Sequence, residues 1–274
     1  MLSKNLVVYL FTRYDNEKTL DRFVSNYLSK PSGAAHELLI CFKLIDKKKI
    51  LSMSYILKKI KYIEYFDTCK INDYDFGSYK RISKRYPDHN ILFLNSHSYP
   101  NTIFWLKKLL KFYKKNTLIG TSGSYESLLT SIKLKKFYKF FSFIKKKNEY
   151  KKKFFPFPNP HIRTANFLIK GSDFYDYIKD KSIKNKEDAW LIESGKNNLT
   201  NYFKKKNFNI YVVNSDGNKF DENNWGSSET YNYFKKSKSI ISDKHVRKYE
   251  ALNEEDKMIS REKVWGNGHL YQNI

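Results

Sequence analysis

Residues 91–100, ILFLNSHSYP, constrain the fold of this chain more than any other stretch. Four apolar residues pass without a break into small polar ones. That is the pattern of a parallel strand buried on both faces, whose carboxyl end opens into a crevice where open α/β sheets hold ligands. Asn95, Ser96, His97 and Ser98 are therefore the first candidate site residues.

The segments on either side repeat the strand–helix alternation. Residues 6–11 read as a buried strand, followed by a helix capped at Asp15 or Asn16 with Leu20, Phe23, Val24, Tyr27 and Leu28 on one face. Strands are expected at 36–42, 62–66 and 117–120, with helices at 54–61 and 101–113 and a polar loop at 72–79. This order predicts an α/β fold, a mainly parallel, Rossmann-like sheet flanked by helices. Neither a Walker-type phosphate loop nor a G-x-G-x-x-G fingerprint is present, which excludes the commonest nucleotide-binding classes. At 274 residues a single domain is expected, with 242–274 as a helical C-terminal tail. With no long apolar run and no leader-like start, the expected location is cytoplasmic, reaching to the inner face of the cell membrane. Cys41 and Cys69 fit two thiols better than a disulfide framework.

The 52 Lys and Arg against 28 Asp and Glu give a net charge of +24, which favours an anionic partner unless it reflects a general usage bias toward Lys. Much of it falls at 135–153. There Phe137, Phe140, Phe141 and Ile144 recur at helical spacing among lysines. Such a helix either packs its stripe on a core or lies on an acidic membrane surface. Residues 120–124 form a glycine-containing loop leading toward an expected helix, where Gly123 can help hold an anion or simply turn the chain. The proline-rich loop 155–164 can present His161 and Arg163 to a ligand, the guanidinium fork being suited to phosphate or to a carboxylate partner. In 186–195, Glu187, Asp188 and Glu193 serve either the helix dipole or proton abstraction. Asp188 is the first choice for a general base and Glu193 the second. His245 and Arg247 in the tail are within reach of the site or are solvated.

Seven blocks keep a consistent order across most of the chain: 6–15 (LVVYLFTRYD), 73–79 (DYDFGSY), 91–98 (ILFLNSHS), 120–127 (GTSGSYES), 157–166 (FPNPHIRTAN), 186–200 (KEDAWLIESGKNNLT) and 225–231 (WGSSETY). With these blocks the chain resembles bacterial glycosyltransferases of the GT-A fold, including those related to rhamnan-synthesis and other polysaccharide glycosyltransferases. The resemblance implies a GT-A-like sheet and transfer of a sugar from a nucleotide-diphosphate sugar to a hydroxyl of a glycan or lipid-linked acceptor, in cell-surface polysaccharide synthesis. It places Phe11, Arg13, Asp73, Asp75, Tyr79, Asn95, Ser96 and His97 at the nucleotide. Gly123, His161, Arg163, Lys186 and Lys196 fall at the diphosphate or acceptor, and Asp188 or Glu193 takes the acceptor proton. Many GT-A enzymes carry Asp-x-Asp at the end of the central strand to hold Mg²⁺ or Mn²⁺, and here it reads Asn95-Ser96-His97. One amide, one hydroxyl and one imidazole are poor ligands for a hard cation. Weak or absent metal dependence is expected, with His97 the one metal candidate, and Arg13, His161, Arg163, Lys186 and Lys196 as fixed cations instead. Association with acidic membrane fits the same reading.

Two other classes compete. Net charge and 17% aromatics suit a nucleic-acid-binding module, although aromatics in apolar strands and helix stripes are core residues, so nucleic acid is not the expected partner. The other is an inactive transferase-like scaffold at a membrane.

Overall fold

The computed structural model describes residues 5–133, 138, 140–232 and 235–266. The first half of the chain forms β1 (Asn5–Thr12), α1 (Glu17–Ser29), β2 (Glu37–Lys43), α2 (Lys47–Ser52), α3 (Ser54–Leu57), β3 (Ile63–Phe66), α4 (Tyr74–Arg85), β4 (Asn90–Leu94), β5 (Tyr99–Pro100), α5 (Trp105–Leu110), β6 (Thr117–Gly120) and β7 (Gly123–Ser124). Then come α6 (Phe140–Lys153), β8 (His161–Ile162), β9 (Asn166–Lys170), α7 (Gly171–Ile178), α8 (Lys186–Ser194), α9 (Leu199–Lys205), β10 (Asn209–Val213), β11 (Lys219–Phe220), β12 (Ile241–Ser242), α10 (Lys244–Glu250) and α11 (Glu254–Trp265). The onset of the basic helix expected from Lys135, with Phe137, and residues 267–274 of the expected tail lie outside the described residues.

Eight strands form one sheet in the order β11-β10-β6-β9-β4-β1-β2-β3. Pairing is parallel from β4 through β1 and β2 to β3 and again between β6 and β10, while β9 and β11 run antiparallel to their neighbours. The sheet is thus mainly parallel, as the alternation predicts, and mixed where β9 inserts between β4 and β6. Strand residues alternate between two cores as a pleated strand requires. Leu6, Val8 and Leu10 face a core completed by Phe76, Tyr79 and Ile82 of α4 and by Phe174, Ile192 and Phe203. Val7, Tyr9 and Phe11 face the opposite core with Leu20, Phe23 and Val24 of α1 and Trp105 of α5. Coverage on both faces explains why these strands read as unbroken apolar runs.

Local expectations shift where backbone geometry intervenes. The expected helix at 101–113 shortens to α5 because Phe104, which precedes it, has φ of 58°, a left-handed conformation that helix interiors do not accept. The loop after β6 leads not into a helix but into β7, which pairs antiparallel with β8. Gly123 is required by packing, since a Cβ there would lie 2.7 Å from the Trp225 ring. Among the described residues no helix is long and apolar enough to cross a membrane.

The segment following β10 contributes side chains to the core beneath the sheet. Ser242 pairs with Tyr99, and Tyr249, Val264 and Trp265 are buried in the core that also holds β1 and α4. Trp265→Ala is therefore expected to lower the urea-denaturation free energy by about 3–5 kcal/mol, the usual cost of emptying a fully buried aromatic site. A loss below about 1 kcal/mol would mean that α11 is an appendage.

Candidate active site

Because β1, β2 and β4 are parallel, their carboxyl ends share one edge of the sheet. The chain passes from β1 to β2 and β3 on one side, then returns to place β4 on the other. Such a reversal leaves a crevice beyond the strand ends. Two adjoining hollows of about 250 Å³ each open there and share Tyr74, Asp75 and Asn95. The first is lined also by Thr12, Tyr14, Asp15, Lys43, Leu44, Asn72, Ser96 and His97. The second adds Phe76, Thr164, Ala165, Lys186, Ala189, Trp190, Glu193 and His245.

One wall of this cleft rests on a buried ion network. The Asp67 carboxylate, just past β3, has no exposed side-chain surface and accepts from Arg81 Nε, from Arg81 Nη2 at 2.7 Å and from the Ser78 hydroxyl. Arg81 Nη1 also donates to Asp73 at 2.6 Å, and the Lys43 ammonium, 2% exposed at the end of β2, donates to Asp73 and to the Tyr74 carbonyl. Burial alone pushes both carboxyls up, but the donors from Arg81, Ser78 and Lys43 hold them below the ordinary aspartate range. To reach these cations Asp73 folds back over the first turn of α4. A Cβ on Gly77 would lie 1.9 Å from its carboxyl carbon, so the glycine in DYDFGSY is a steric requirement. The same turn sets Tyr74 at φ 52°, and Leu44 across the hollow at φ 53°. Left-handed non-glycine residues cost on the order of 1–3 kcal/mol each and cluster where function holds the backbone.

Asp75, next in the chain, projects into both hollows. Burial, with the nearby negative charges of Asp15 and Glu193, raises its carboxyl from 3.8 to about 6 against the opposing pull of Lys43. Asp15 is held by the Thr12 backbone N–H at 2.8 Å and the Thr12 hydroxyl at 2.6 Å. Glu193 accepts from the Thr164 N–H at 3.0 Å and from its hydroxyl. Burial would raise the Glu193 pKa, but His161, Thr164 and Arg163 bring it below the ordinary value. The cleft thus separates its acids into one that titrates near neutrality and one held ionised, the arrangement that marks acid–base sites.

At the end of β4, Asn95 makes a tight turn. Its amide oxygen accepts from the His97 N–H at 3.1 Å and the Ser98 hydroxyl at 2.7 Å, which uses both lone pairs. Tyr9 Oη donates to the Ser96 carbonyl at 2.8 Å, and Arg247 Nη1 to the His97 carbonyl at 2.8 Å. The turn is fixed from below by β1 and from above by α10. With both lone pairs of its oxygen committed, Asn95 does not fit as a ligand for the divalent ion that an Asp-x-Asp would hold, and of the strand end only His97, the expected metal candidate, brings an imidazole to the same hollow. Among the described residues the one cluster of potential metal ligands is Asp67, Cys69 and Asp73, and its carboxylates already pair with Arg81 and Lys43.

The residues expected from sequence separate accordingly. Asp75, Asn95, Ser96, His97, Lys186 and Glu193 line the cleft. Asp73 acts beneath it through the ion network. Phe11 and Tyr79 are wholly buried in opposite cores. Arg13 is exposed at the rim, its Nη2 2.9 Å from the Tyr14 hydroxyl. Gly123 lies under Trp225. His161 is buried with Nδ1 2.8 Å from the Asn159 carbonyl, and Arg163 lies 5.1 Å over the Tyr231 ring and 3.7 Å from Glu126. Both stand behind Glu193 rather than in the cleft. Asp188, the first-choice base, is a helix-capping residue: its carboxylate accepts from the N–H groups of Lys184 at 2.8 Å and Asn185 at 3.1 Å. With Lys196 it lines a separate hollow. Several lining residues are not among those expected, Lys43 and Trp190 among them. Asp15 reads as a helix cap, yet Asn16 caps α1. Trp190 reads as a buried helix residue, and His245, expected either within reach of the site or solvated, lines the second hollow.

No protein-family model matches the chain, and no curated protein matches it. Among solved structures the chain is similar to 4-diphosphocytidyl-2C-methyl-D-erythritol synthase from Anaerococcus prevotii, at 12% identity and a TM-score of 0.48 over 84% of this chain and 98% of that one. It is also similar to the galactosyltransferase LgtC in complex with donor and acceptor sugar analogues, at 11% and 0.44 over 77% and 73%. A third is HddC from Yersinia pseudotuberculosis, at 11% and 0.41 over 73% and 97%.

Arg81→Met is expected to cost about 3–5 kcal/mol in urea denaturation at neutral pH, because it leaves two buried carboxylates short of charge. A loss under about 1 kcal/mol would show that the network does not hold the wall. For Asp75 the sign follows from its raised pKa. The folded protein keeps this proton at pH values where the unfolded chain has lost it, so its contribution is full below about pH 4 and lost as pH rises through about 6. Asp75→Asn removes that dependence. Its stability relative to wild type is expected to rise by roughly 2 kcal/mol between pH 4 and pH 8, and a flat difference would place the Asp75 pKa at its ordinary value.

Proposed function

We infer that this protein is a glycosyltransferase that takes a nucleotide-diphosphate sugar as donor and passes the sugar to a hydroxyl of a glycan or lipid-linked acceptor. The observation that carries the reading is the paired cleft across the β1–β4 reversal, with Asp75 at the junction of its two halves. Nucleotides bind beyond the carboxyl ends of parallel strands at such a reversal. The donor nucleotide is assigned to the half bounded by Thr12, Lys43, Asn72 and His97. Transfer takes place toward the half bounded by Lys186, Trp190, Glu193 and His245. The half-exposed indole of Trp190, with Lys186 Nζ 5.4 Å over its ring, offers an apolar face for a sugar.

In the transfer step the ionised Asp75 carboxylate takes the proton of the acceptor hydroxyl, and the oxygen bonds to the anomeric carbon. The bond from that carbon to the diphosphate oxygen breaks, and the electron pair leaves with the nucleoside diphosphate. A base titrating near 6 is matched to this task, whereas Glu193, held ionised, suits stabilising positive charge that develops on the sugar ring. Lys43, Lys186 and His245 supply the donors nearest the leaving charge. Asp188 has no part in this assignment. Because Asn95 offers no ligand, this reading assigns the stabilisation of the leaving charge to the cations of the protein.

A thermal-shift screen against UDP-, GDP-, TDP- and CMP-sugars, with and without Mn²⁺, tests donor use. At least one donor is expected to stabilise the protein irrespective of metal, and no shift with any of them sinks the assignment. With the donor so identified, kcat/KM is expected to rise through about pH 6. Asp75→Asn is expected to lose at least about 100-fold in kcat while keeping the donor-induced shift.

A further inference from the structure

Helix α6 stands apart from the cleft and is anchored only through part of its length. Tyr150 and, just past the helix, Phe154 are buried with Leu129. Toward the amino end large apolar residues reach solvent: Phe141 is 84% exposed, and Phe140, whose ring meets that of Phe141 edge to face, and Ile144 are 42% and 39% exposed. The large apolar residues Tyr138 and Phe155, on either side of the helix, are exposed as well.

Helical periodicity shows what shares that face. Successive residues turn by about 100°, so Phe140, Ile144 and Phe141 form one strip, and Lys145, Lys151 and Lys152 fall along or beside it. Glu149, the one acid of α6, is turned well away from the strip. Lys152 and Lys153 continue into the separate hollow of about 320 Å³, lined also by Lys181, Lys196 and Asp188. One oxygen of the Asp188 carboxylate, Oδ2, accepts from two backbone N–H groups, and Lys153 pairs with Glu187. The positive charge of Lys152, Lys181 and Lys196 meets no carboxylate within ion-pair distance among the described residues, so an apolar strip runs directly into a concave cationic surface.

We propose that α6 docks this protein on an anionic lipid bilayer, with Phe140, Phe141 and Ile144 entering the interface and Lys145, Lys151 and Lys152 meeting the headgroup phosphates. A bilayer is the partner that demands both features on one side of a helix: apolar depth and a sheet of negative charge just above it. A single-stranded nucleic acid would engage the lysines and stack on the phenylalanines, but the aliphatic Ile144 between them offers no stacking face, whereas a bilayer takes up all three. The inference stands independently of the sugar-transfer reading, since none of these residues lines the cleft.

The test is co-sedimentation with vesicles of mixed phosphatidylglycerol and phosphatidylcholine, and with phosphatidylcholine alone. Wild-type protein is expected to partition at least about tenfold more strongly onto the anionic vesicles, with the preference weakening as salt is raised. Two variants of exposed positions separate the contributions, the triple change Phe140→Ser, Phe141→Ser, Ile144→Ser and the triple change Lys145→Glu, Lys151→Glu, Lys152→Glu. Each is expected to lose at least about tenfold in vesicle binding with an unchanged circular dichroism spectrum and thermal midpoint. Equal partition of the wild type onto neutral and anionic vesicles overturns the proposal. So does full binding by the serine variant, or tight salt-sensitive binding of single-stranded RNA by wild-type protein that ignores the anionic vesicles. The wild-type comparison decides the matter even if a variant misfolds.

Discussion

Two carboxylates buried beyond the strand ends, Asp67 and Asp73, stay charged only because Arg81 bridges them and Lys43 closes the second. Charges taken out of water this way gain little net stability against apolar replacements, but removing one partner strands the others. What the network provides is therefore position. It ties the ends of β2 and β3 to the first turns of α4, pulls Asp73 back over Gly77, and leaves Tyr74 and Asp75 facing the cleft. The raised pKa of Asp75 follows from that placement, with burial as its main cause.

The sheet supplies the rest of the geometry. Parallel β1, β2 and β4 bring Thr12, Lys43 and Asn95 to one rim although they lie far apart in the chain. The antiparallel β9 then delivers Thr164 and Ala165, which precede it, to that same rim. Through Thr164 it also holds Glu193 of α8. Finally α10 returns over the top, with Arg247 on the His97 carbonyl and His245 in the wall. The rim is set by hydrogen bonds near the ends of these elements, and the interior of α8 adds Ala189 and Trp190 to the wall.

Much of this was readable along the chain because its cause is local. The apolar runs at 6–11 and 91–94 announce doubly covered strands, and the Leu20, Phe23, Val24 spacing announces α1. The polar residues after Leu94 mark the rim, and Asn95, Ser96 and His97 are there. Asp188 illustrates the opposite case. An acid in a first helical turn satisfies backbone N–H groups whatever else surrounds it, and here Oδ2 of Asp188 does so at a hollow separate from the cleft. Asp15 likewise reads as a helix cap, while the cap is its neighbour and Asp15 closes on Thr12 within the cleft.

The sequence by itself determined which segments become buried strands and amphipathic helices, and that the polar end of the β4 segment faces a crevice. Those outcomes depend on periodicities and caps that act over a few residues. Only the tertiary structure decided which acid titrates near neutrality, that Lys43 and Arg81 hold buried carboxylates, that Trp190 and His245 enter the cleft, and that Phe140, Phe141 and Ile144 of α6 reach solvent. Desolvation and charge pairing depend on neighbours brought in from distant parts of the chain, and no local pattern encodes who those neighbours are.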